Sequence, residues 1–425
     1  VKSDLLILSA AELLTAPPGD APLTGPDLDR PRILRDAAVA CVDGRIAAVG
    51  ATAEIVSRYS EREAAAVLDA SGGLVAPGFV DCHTHLPFAG TREGEFESRA
   101  RGESYADIAG KGGGIRASVR HLRAVTEEDL VARVRERLRT LLAGGTTTVE
   151  AKSGYGLSLE EERKQLRSVM RAAAGEAVEV IPTFLGAHEV PDDYRERRAA
   201  YVALLTEEMI PAVAAEGLAR FCDVFCDKGV FTVEEARQIL RAGSAHGLRP
   251  KLHADELADV GAAALAAEVY AISADHLLHA NDGGLRAMAQ AGVVGVLLPG
   301  TALTLGLPYA RARAMVDLGV PIALATDFNP GSTMCSSMPL MLTLAVTQMR
   351  LTPAEAWMAA TANAASAVGE GARLGRIEPG KQADLCVFDA PDYRHIPYHY
   401  GAEHVRAVVK RGKVVHRRTG LSTCH

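Results

Sequence analysis

At 425 residues the chain is too long for one ordinary core and suits a barrel of about 250 residues joined to a smaller unit. Hydrophobic residues make up 48% and charged residues 23%, with a formal charge of -7, so the chain can bury a large core and offers no basic surface for nucleic acid, leaving a small molecule as the favoured partner. No apolar run reaches the roughly 18 residues of a membrane span, residues 1–14 lack the basic flank of a secretory signal, and seven scattered cysteines oppose a disulfide framework, so a soluble cytoplasmic protein with reduced thiols is expected.

From Asp4 to about residue 70 the sequence is strand-like, and residues 39–49 read as two short strands around an Asp43-Gly44 turn. Residues 74–79 read as a further strand running into His83 and His85, whose imidazoles at i and i+2 then project from one side. Thr126 is placed to cap a helix with Glu127, Glu128 and Asp129 at its positive end. Leu130, Val134, Leu138 and Leu141 form its apolar face, Gly144-Gly145 its stop, and its arginines are expected to face solvent. Short apolar strands follow at 146–150, 178–181, 250–253, 271–275, 293–297 and 321–325, with helical stretches between them. The C-terminal segment returns to β-structure, with a strand at 384–388 and a hairpin over 405–415 turning at Arg411-Gly412-Lys413.

This order predicts an α/β protein: a TIM-like (β/α)8 barrel over residues 74–368, and a small β-sandwich domain formed from residues 1–73 and 369–425. In such a barrel chemistry sits at the C-terminal ends of the strands. Those ends carry His83 and His85, then His253 with Glu256 three residues on, then His276, then Asp327. Singly, each is as readily a core histidine or a capping aspartate. Together, three nitrogens from His83, His85 and His253 and a carboxylate from Asp327 make a ligand set that suits zinc or iron and leaves room for water.

The residues also carry a family likeness. Asp81-Cys82-His83-Thr84-His85-Leu86, Phe88-Ala89-Gly90-Thr91-Arg92, Gly112-Gly113-Gly114-Ile115, Glu150-Ala151-Lys152-Ser153-Gly154-Tyr155-Gly156, Phe184-Leu185-Gly186-Ala187-His188, His253-Ala254-Asp255-Glu256, Asp275-His276-Leu277 and residues 326–332 span nearly the whole chain. They resemble the imidazolonepropionases of the amidohydrolase superfamily, with Pro87 a small departure where an aliphatic residue is expected. The His-x-His and the distant aspartate mark only the superfamily, whereas the Lys-Ser-Gly-Tyr-Gly and Asp-Phe-Asn-Pro-Gly-Ser runs are more particular.

The resemblance implies hydrolysis of the cyclic amide of 4-imidazolone-5-propanoate to N-formimidoyl-L-glutamate, the third step of histidine degradation. It further implies one zinc or iron ion per subunit and a homodimer. It assigns the metal to His83, His85, His253 and Asp327, and substrate contacts to Arg92, Tyr155, His188, Glu256, Asn329, Gly331 and Ser332. Glu256 and Asp327 compete as proton shuttle, and His276 is placed to polarise the carbonyl. Arg92 suits the propionate as a bidentate partner, and the amides after Asp327 suit the carboxylate uncovered by ring opening. The glycine loop 112–115 reads as a rim segment over the substrate, and His395, His399 and His404 as surface or interdomain residues.

Three rivals remain. Lys152 raises a two-metal reading, because some relatives in the superfamily bridge two metals with a carboxylated lysine at the end of their fourth strand, although its run resembles the one-metal pattern; the chain could be a heterocyclic-amine deaminase; or it could be a non-catalytic relative used for protein interaction.

Overall fold

Eight parallel strands follow one another around one half of the molecule. They are β1 (Phe79–Asp81), β2 (Thr146–Lys152), β3 (Glu179–Ala187), β4 (Phe221–Cys226), β5 (Arg249–Ala254), β6 (Ser273–His276), β7 (Val294–Leu297) and β8 (Ile322–Leu324), each paired with the next. The computed structural model describes residues 2–103 and 105–418. No ladder joins β8 to β1. The ring is bridged at its rim, where Thr84 pairs with Phe328, Asp327 N donates to His83 O at 3.0 Å and His85 N to Phe328 O at 3.0 Å. The closure therefore runs through the residues expected to hold the metal.

Parallel neighbours need long crossovers, and these are helical. Glu127–Ala143 links β1 to β2, with Thr126 accepting from Asp129 N and Leu130, Val134, Leu138 and Leu141 fully buried. One of its arginines, Arg137, does not face solvent as expected, whereas Arg133 remains exposed. Arg137 donates to Leu86 O and Phe88 O at 2.7 Å and lies over the Phe88 ring, and Arg133 donates to Ala89 O at 2.9 Å. The rim loop leaves carbonyls without a strand partner, and these cations satisfy them.

The second sheet is mixed. Its order is Lys413–Arg417, Val405–Lys410, Leu385–Phe388, Leu74–Pro77, Leu5–Thr15, Arg32–Val42 and Arg45–Ala51, with Val67–Asp69 also paired to Leu5–Thr15. Leu5, Ile7, Val39 and Ile46 share one apolar core with Leu385, Val387 and Val409, so the N- and C-terminal halves of this sheet fold over a common interior. The stretch 74–79 is two strands rather than one. Leu74–Pro77 pairs with Leu5–Thr15 and Leu385–Phe388, and only from Phe79 does the chain join the barrel, so residue 74 is not the barrel's first residue. Gly78 makes the change of sheet possible, because a Cβ there would overlap the Thr147 side chain.

The sheets are joined by Trp357, fully buried on the helix Pro353–Ala360. It stacks on Phe79 of β1 at 5.1 Å and meets Phe388 edge-on at 5.6 Å. Strand β4 escaped the sequence reading because a charged residue, Asp223, interrupts its apolar run; β3 runs further than expected, through Pro182 and Gly186. The six described cysteines are free thiols, and Cys424 lies outside the described residues. Among the described residues no helix is long and apolar enough to cross a membrane.

Candidate active site

His83 and His85 leave the end of β1, His253 lies on β5, His276 ends β6 and Asp327 follows β8, and all five side chains are almost wholly buried. Their strand positions bring them to one end of the barrel. Ligand atoms of His83, His85 and Asp327 lie within 4.8 Å of one another, as do those of His83, His253 and His276, and those of His85, His188 and His253. Asp327 Oδ1 is 3.5 Å from His83 Nε2 and 3.4 Å from His85 Nε2. Its other oxygen accepts from Thr301 Oγ1 at 2.6 Å and Ser332 Oγ at 3.2 Å, so it is not the free oxygen expected of a shuttle.

His83 Nε2 and His253 Nε2 are buried with no hydrogen-bond partner among the described residues. Two unsatisfied nitrogens, one of them 3.5 Å from the Asp327 carboxylate, fit a cation bound by nitrogen and oxygen ligands. Charge agrees. Burial and Lys152 oppose protonation of His83, yet Asp275 and Asp327 outweigh them and push it up to about 9. His253, buried with one carboxylate neighbour, is lowered to about 4. Burial and His85 likewise hold His188 neutral, and burial does so for His276 despite Asp327.

Beneath the histidines lies a layer of charge that motif reading missed. His83 Nδ1 is 2.6 Å from Asp275 Oδ2, and His253 Nδ1 is 3.2 Å from Asp223 Oδ1. Lys152 Nζ contacts Asp223 at 2.6 Å, Asp275 at 3.3 Å and Glu150 at 3.2 Å, and Lys251 Nζ meets Glu150 at 2.8 Å. All five charged groups are completely buried. Inward-pointing charges in apolar strands were the available signal. Lys152 sits on β2, not on a fourth strand, and its three carboxylate neighbours outweigh burial and keep it an ammonium, which removes the basis for a carboxylated bridging lysine.

Glu256 is held by the strand-end aspartate after β4: Asp227 accepts from the amides of Glu256 at 2.7 Å, Leu257 at 2.8 Å and Ala258 at 3.1 Å. The Glu256 carboxyl then lies 3.6 Å from His276 Nε2. Burial, reinforced by Asp327 and Asp227, pushes its pKa up to about 8. Asp255, His276 and Asp327 all adopt positive φ (50°, 76° and 54°), each costing of order 1–3 kcal/mol for a residue with a Cβ. The strained backbone thus lies at His276 and Asp327, which meet in the site, and at Asp255, whose carboxylate accepts from the amides of Val260, Ala262 and Ala263.

The substrate side is built on two loops. Arg92 is engaged by Glu95 in a bidentate pair at 2.9 and 2.5 Å, and a Cβ at Gly331 would strike its guanidinium, so glycine there admits the arginine to the Asp327 loop. The amides of Gly331 and Ser332 are not open to a ligand carboxylate as expected, because Asn329 Oδ1 accepts from both, at 2.7 and 2.8 Å. Tyr155 and His188 stand beside His85, with His188 stacked on it at 5.1 Å. Gly154 has φ of 109° and its carbonyl accepts from His188 Nδ1 at 3.0 Å. Glu162 and Gln165, also unforeseen, pin this loop by accepting from the amides of Gly154, Tyr155, Gly156 and Leu157. The glycine loop is tied to the same rim, Gly114 N donating to Glu95 Oε1 at 3.0 Å. His395 and His399 stack on each other at 3.9 Å, with His404 edge-on to His395.

Comparison with known proteins agrees with this architecture. Residues 74–415 match the model of the amidohydrolase family. The chain is 51% identical over 413 residues to an imidazolonepropionase of Geobacillus thermodenitrificans, covering 97% of each chain. It is 51% identical to one of Symbiobacterium thermophilum, with the same coverage of each, and 44% identical to one of Clostridium tetani, covering 98% of this chain and 99% of that one. Among solved structures, an adenosine deaminase of Xanthomonas campestris with bound zinc superposes with a TM-score of 0.73 at 20% identity, covering 97% and 93% of the two chains. A guanine deaminase of E. coli does so with a TM-score of 0.70 at 16% identity, covering 97% and 99%. These distant likenesses concern the fold alone.

Proposed function

Since the chain belongs to the amidohydrolase family and, within it, to the imidazolonepropionases, we infer that it opens the ring of 4-imidazolone-5-propanoate with water to give N-formimidoyl-L-glutamate. The observation that carries this reading at residue level is the approach of a cationic side chain, Arg92, to the loop of Asp327, on the rim where the histidines converge. An arginine there suits a substrate that carries a carboxylate beside the reacting ring.

His83, His85, His253 and Asp327 would hold one zinc or iron ion. When bound, that ion supplies Lewis acidity, which makes water nucleophilic near neutral pH. Arg92 leaves Glu95 to grip the propionate, and the turn of Asn329, Gly331 and Ser332 forms the wall beside it. Tyr155 and His188 flank the imidazolone. Neutral His276 donates a hydrogen bond to the ring carbonyl oxygen as charge develops there. Glu256 takes a proton from the attacking water and returns it to the ring nitrogen as the carbon–nitrogen bond breaks, and its raised pKa suits proton transfer in both directions near pH 7. Asp327 is the weaker shuttle candidate, because its second oxygen already receives two hydroxyls. The reading includes a homodimer, carried by family likeness, and a cytoplasmic setting, in keeping with the free thiols.

The test is to follow loss of the ring chromophore with the metal-loaded protein and identify the product by mass, with Asp327→Ala alongside. Formimidoylglutamate from the native protein alone supports the reading. An intact ring, together with ammonia release from a heterocyclic amine, would replace it with a deaminase.

A further inference from the structure

We infer that Lys152 is a positioning residue for the metal site: its ammonium fixes the carboxylates of Asp223 and Asp275, and these orient His253 and His83 so that Nε2 of each is left to bind. The inference rests on the metal-site reading above and concerns what makes those ligands ready.

The geometry is a two-armed bracket. One arm runs from Lys152 Nζ to Asp275 Oδ2 at 3.3 Å and from there to His83 Nδ1 at 2.6 Å. The other runs from Lys152 Nζ to Asp223 Oδ2 at 2.6 Å, and Asp223 meets His253 Nδ1 through Oδ1 at 3.2 Å. Ser273 Oγ donates to the remaining Asp275 oxygen at 2.6 Å, so that carboxylate has little freedom to turn. A carboxylate at Nδ1 requires the proton on that nitrogen and leaves Nε2 as the lone-pair donor, which fixes both the tautomer and the ring orientation of a ligating histidine. Here two such histidines, one just after β1 and one on β5, are governed by one cation from β2.

Charge shows why a cation is needed. The layer holds Lys152 and Lys251 against Glu150, Asp223 and Asp275, all with no exposure to water. Without Lys152, Asp223 and Asp275 would repel each other in a site water does not screen, and the least costly response is for the carboxylates to swing away from the imidazoles. Lys251 provides the contrast. It is equally buried, yet it meets Glu150 and the carbonyls of Cys82 at 3.3 Å and Ala367 at 3.4 Å, with no ion pair to either aspartate. A lysine there braces the barrel interior, whereas Lys152 reaches the ligands.

The experiment measures zinc affinity by competition with a chromophoric chelator and reads histidine tautomers by nitrogen-15 NMR on the metal-free protein. The variants are Lys152→Met, Lys251→Met and His85→Ala. Lys152→Met is expected to weaken zinc binding about 10- to 100-fold, in the range seen for lost partners of ligating histidines, and to remove the single Nδ1–H signature of His83 and His253. Lys251→Met is expected to lower thermal stability while changing zinc affinity less than about 3-fold and leaving both signatures intact. If Lys152→Met does not fold, Lys152→Met/Asp223→Asn removes one charge of each sign. It is expected to keep the signature of His83, lose that of His253 and still bind zinc at least about 10-fold more weakly. Native zinc affinity and native tautomers in whichever of these Lys152 variants folds would overturn the inference. Zinc binding that survives His85→Ala would instead overturn the metal-site reading, so the two failures are separable.

Discussion

Two clusters of the same ion-pair chemistry sit at different places in the barrel and do different work. The inner one, Lys152, Lys251, Glu150, Asp223 and Asp275, is sealed from water and ends on the histidines. The other lies at the seam between the sheets, where Glu179, at the start of β3, meets Arg373, Lys410 at 3.3 Å and Arg411 at 3.3 Å, and Lys410 also meets Asp384 at 2.7 Å. Glu179 keeps about a fifth of its side-chain surface in water. Ion pairs reached by water hold surfaces together modestly, whereas wholly buried ones cost much to assemble and are kept where they direct something else. The contrast predicts that Lys152 and its two aspartates, which end on the histidines, act on the chemistry beyond any cost in stability, whereas seam substitutions act on stability alone.

The largest break should come at the ligands. Asp327→Ala or His253→Ala should lower turnover at least about 10⁴-fold and abolish stoichiometric zinc retention, checked by single-turnover assay and metal analysis, with far-UV circular dichroism unchanged. Glu256→Gln should cost about 10²- to 10⁴-fold in kcat while metal content stays native; a loss confined to KM would remove Glu256 as the proton shuttle. At the seam, Trp357→Ala deletes the ring between Phe79 and Phe388 and should cost about 3–5 kcal/mol of stability, read by urea unfolding, with kcat per folded molecule within about twofold of native.

The smallest effect sharpens the comparison through pH. Burial opposes ionisation of Glu179, yet Arg373 and Lys410 outweigh it and hold its pKa at about 2, against 4.5 in an unfolded chain. A depressed carboxylate pKa stabilises the fold fully above the unfolded value and loses that contribution as pH falls through the folded one. Glu179→Gln should therefore cost about 1–2 kcal/mol at pH 7, discounted for the water that reaches the pair. The melting difference from the native protein should shrink between about pH 4.5 and 2, and a difference independent of pH would show that the pair contributes through packing rather than charge.

Local pattern explains what was readable in the chain. The His83–His85 spacing, the capped helix Glu127–Ala143 and the hairpin of Arg32–Val42 with Arg45–Ala51 follow from backbone periodicity and turn chemistry, which depend on near neighbours. Strand-end histidines and Asp327 were found the same way, because the barrel rule turns position along a strand into position in space. The switch of sheets at Gly78, the inward turn of Arg137, and strand β4 with Asp223 were not readable, since each depends on a partner far along the chain.

The sequence by itself determined the alternation of strands and helices, the ligand residue types and the family, because these are carried by local spacing and by runs such as Lys152 to Gly156. Only the tertiary structure decided that Lys152, Asp223 and Asp275, from β2, β4 and β6, meet under His83 and His253. The physical reason is register: which inward side chains share a layer is set by hydrogen-bonded pairing around the barrel, and no residue's near neighbours record it.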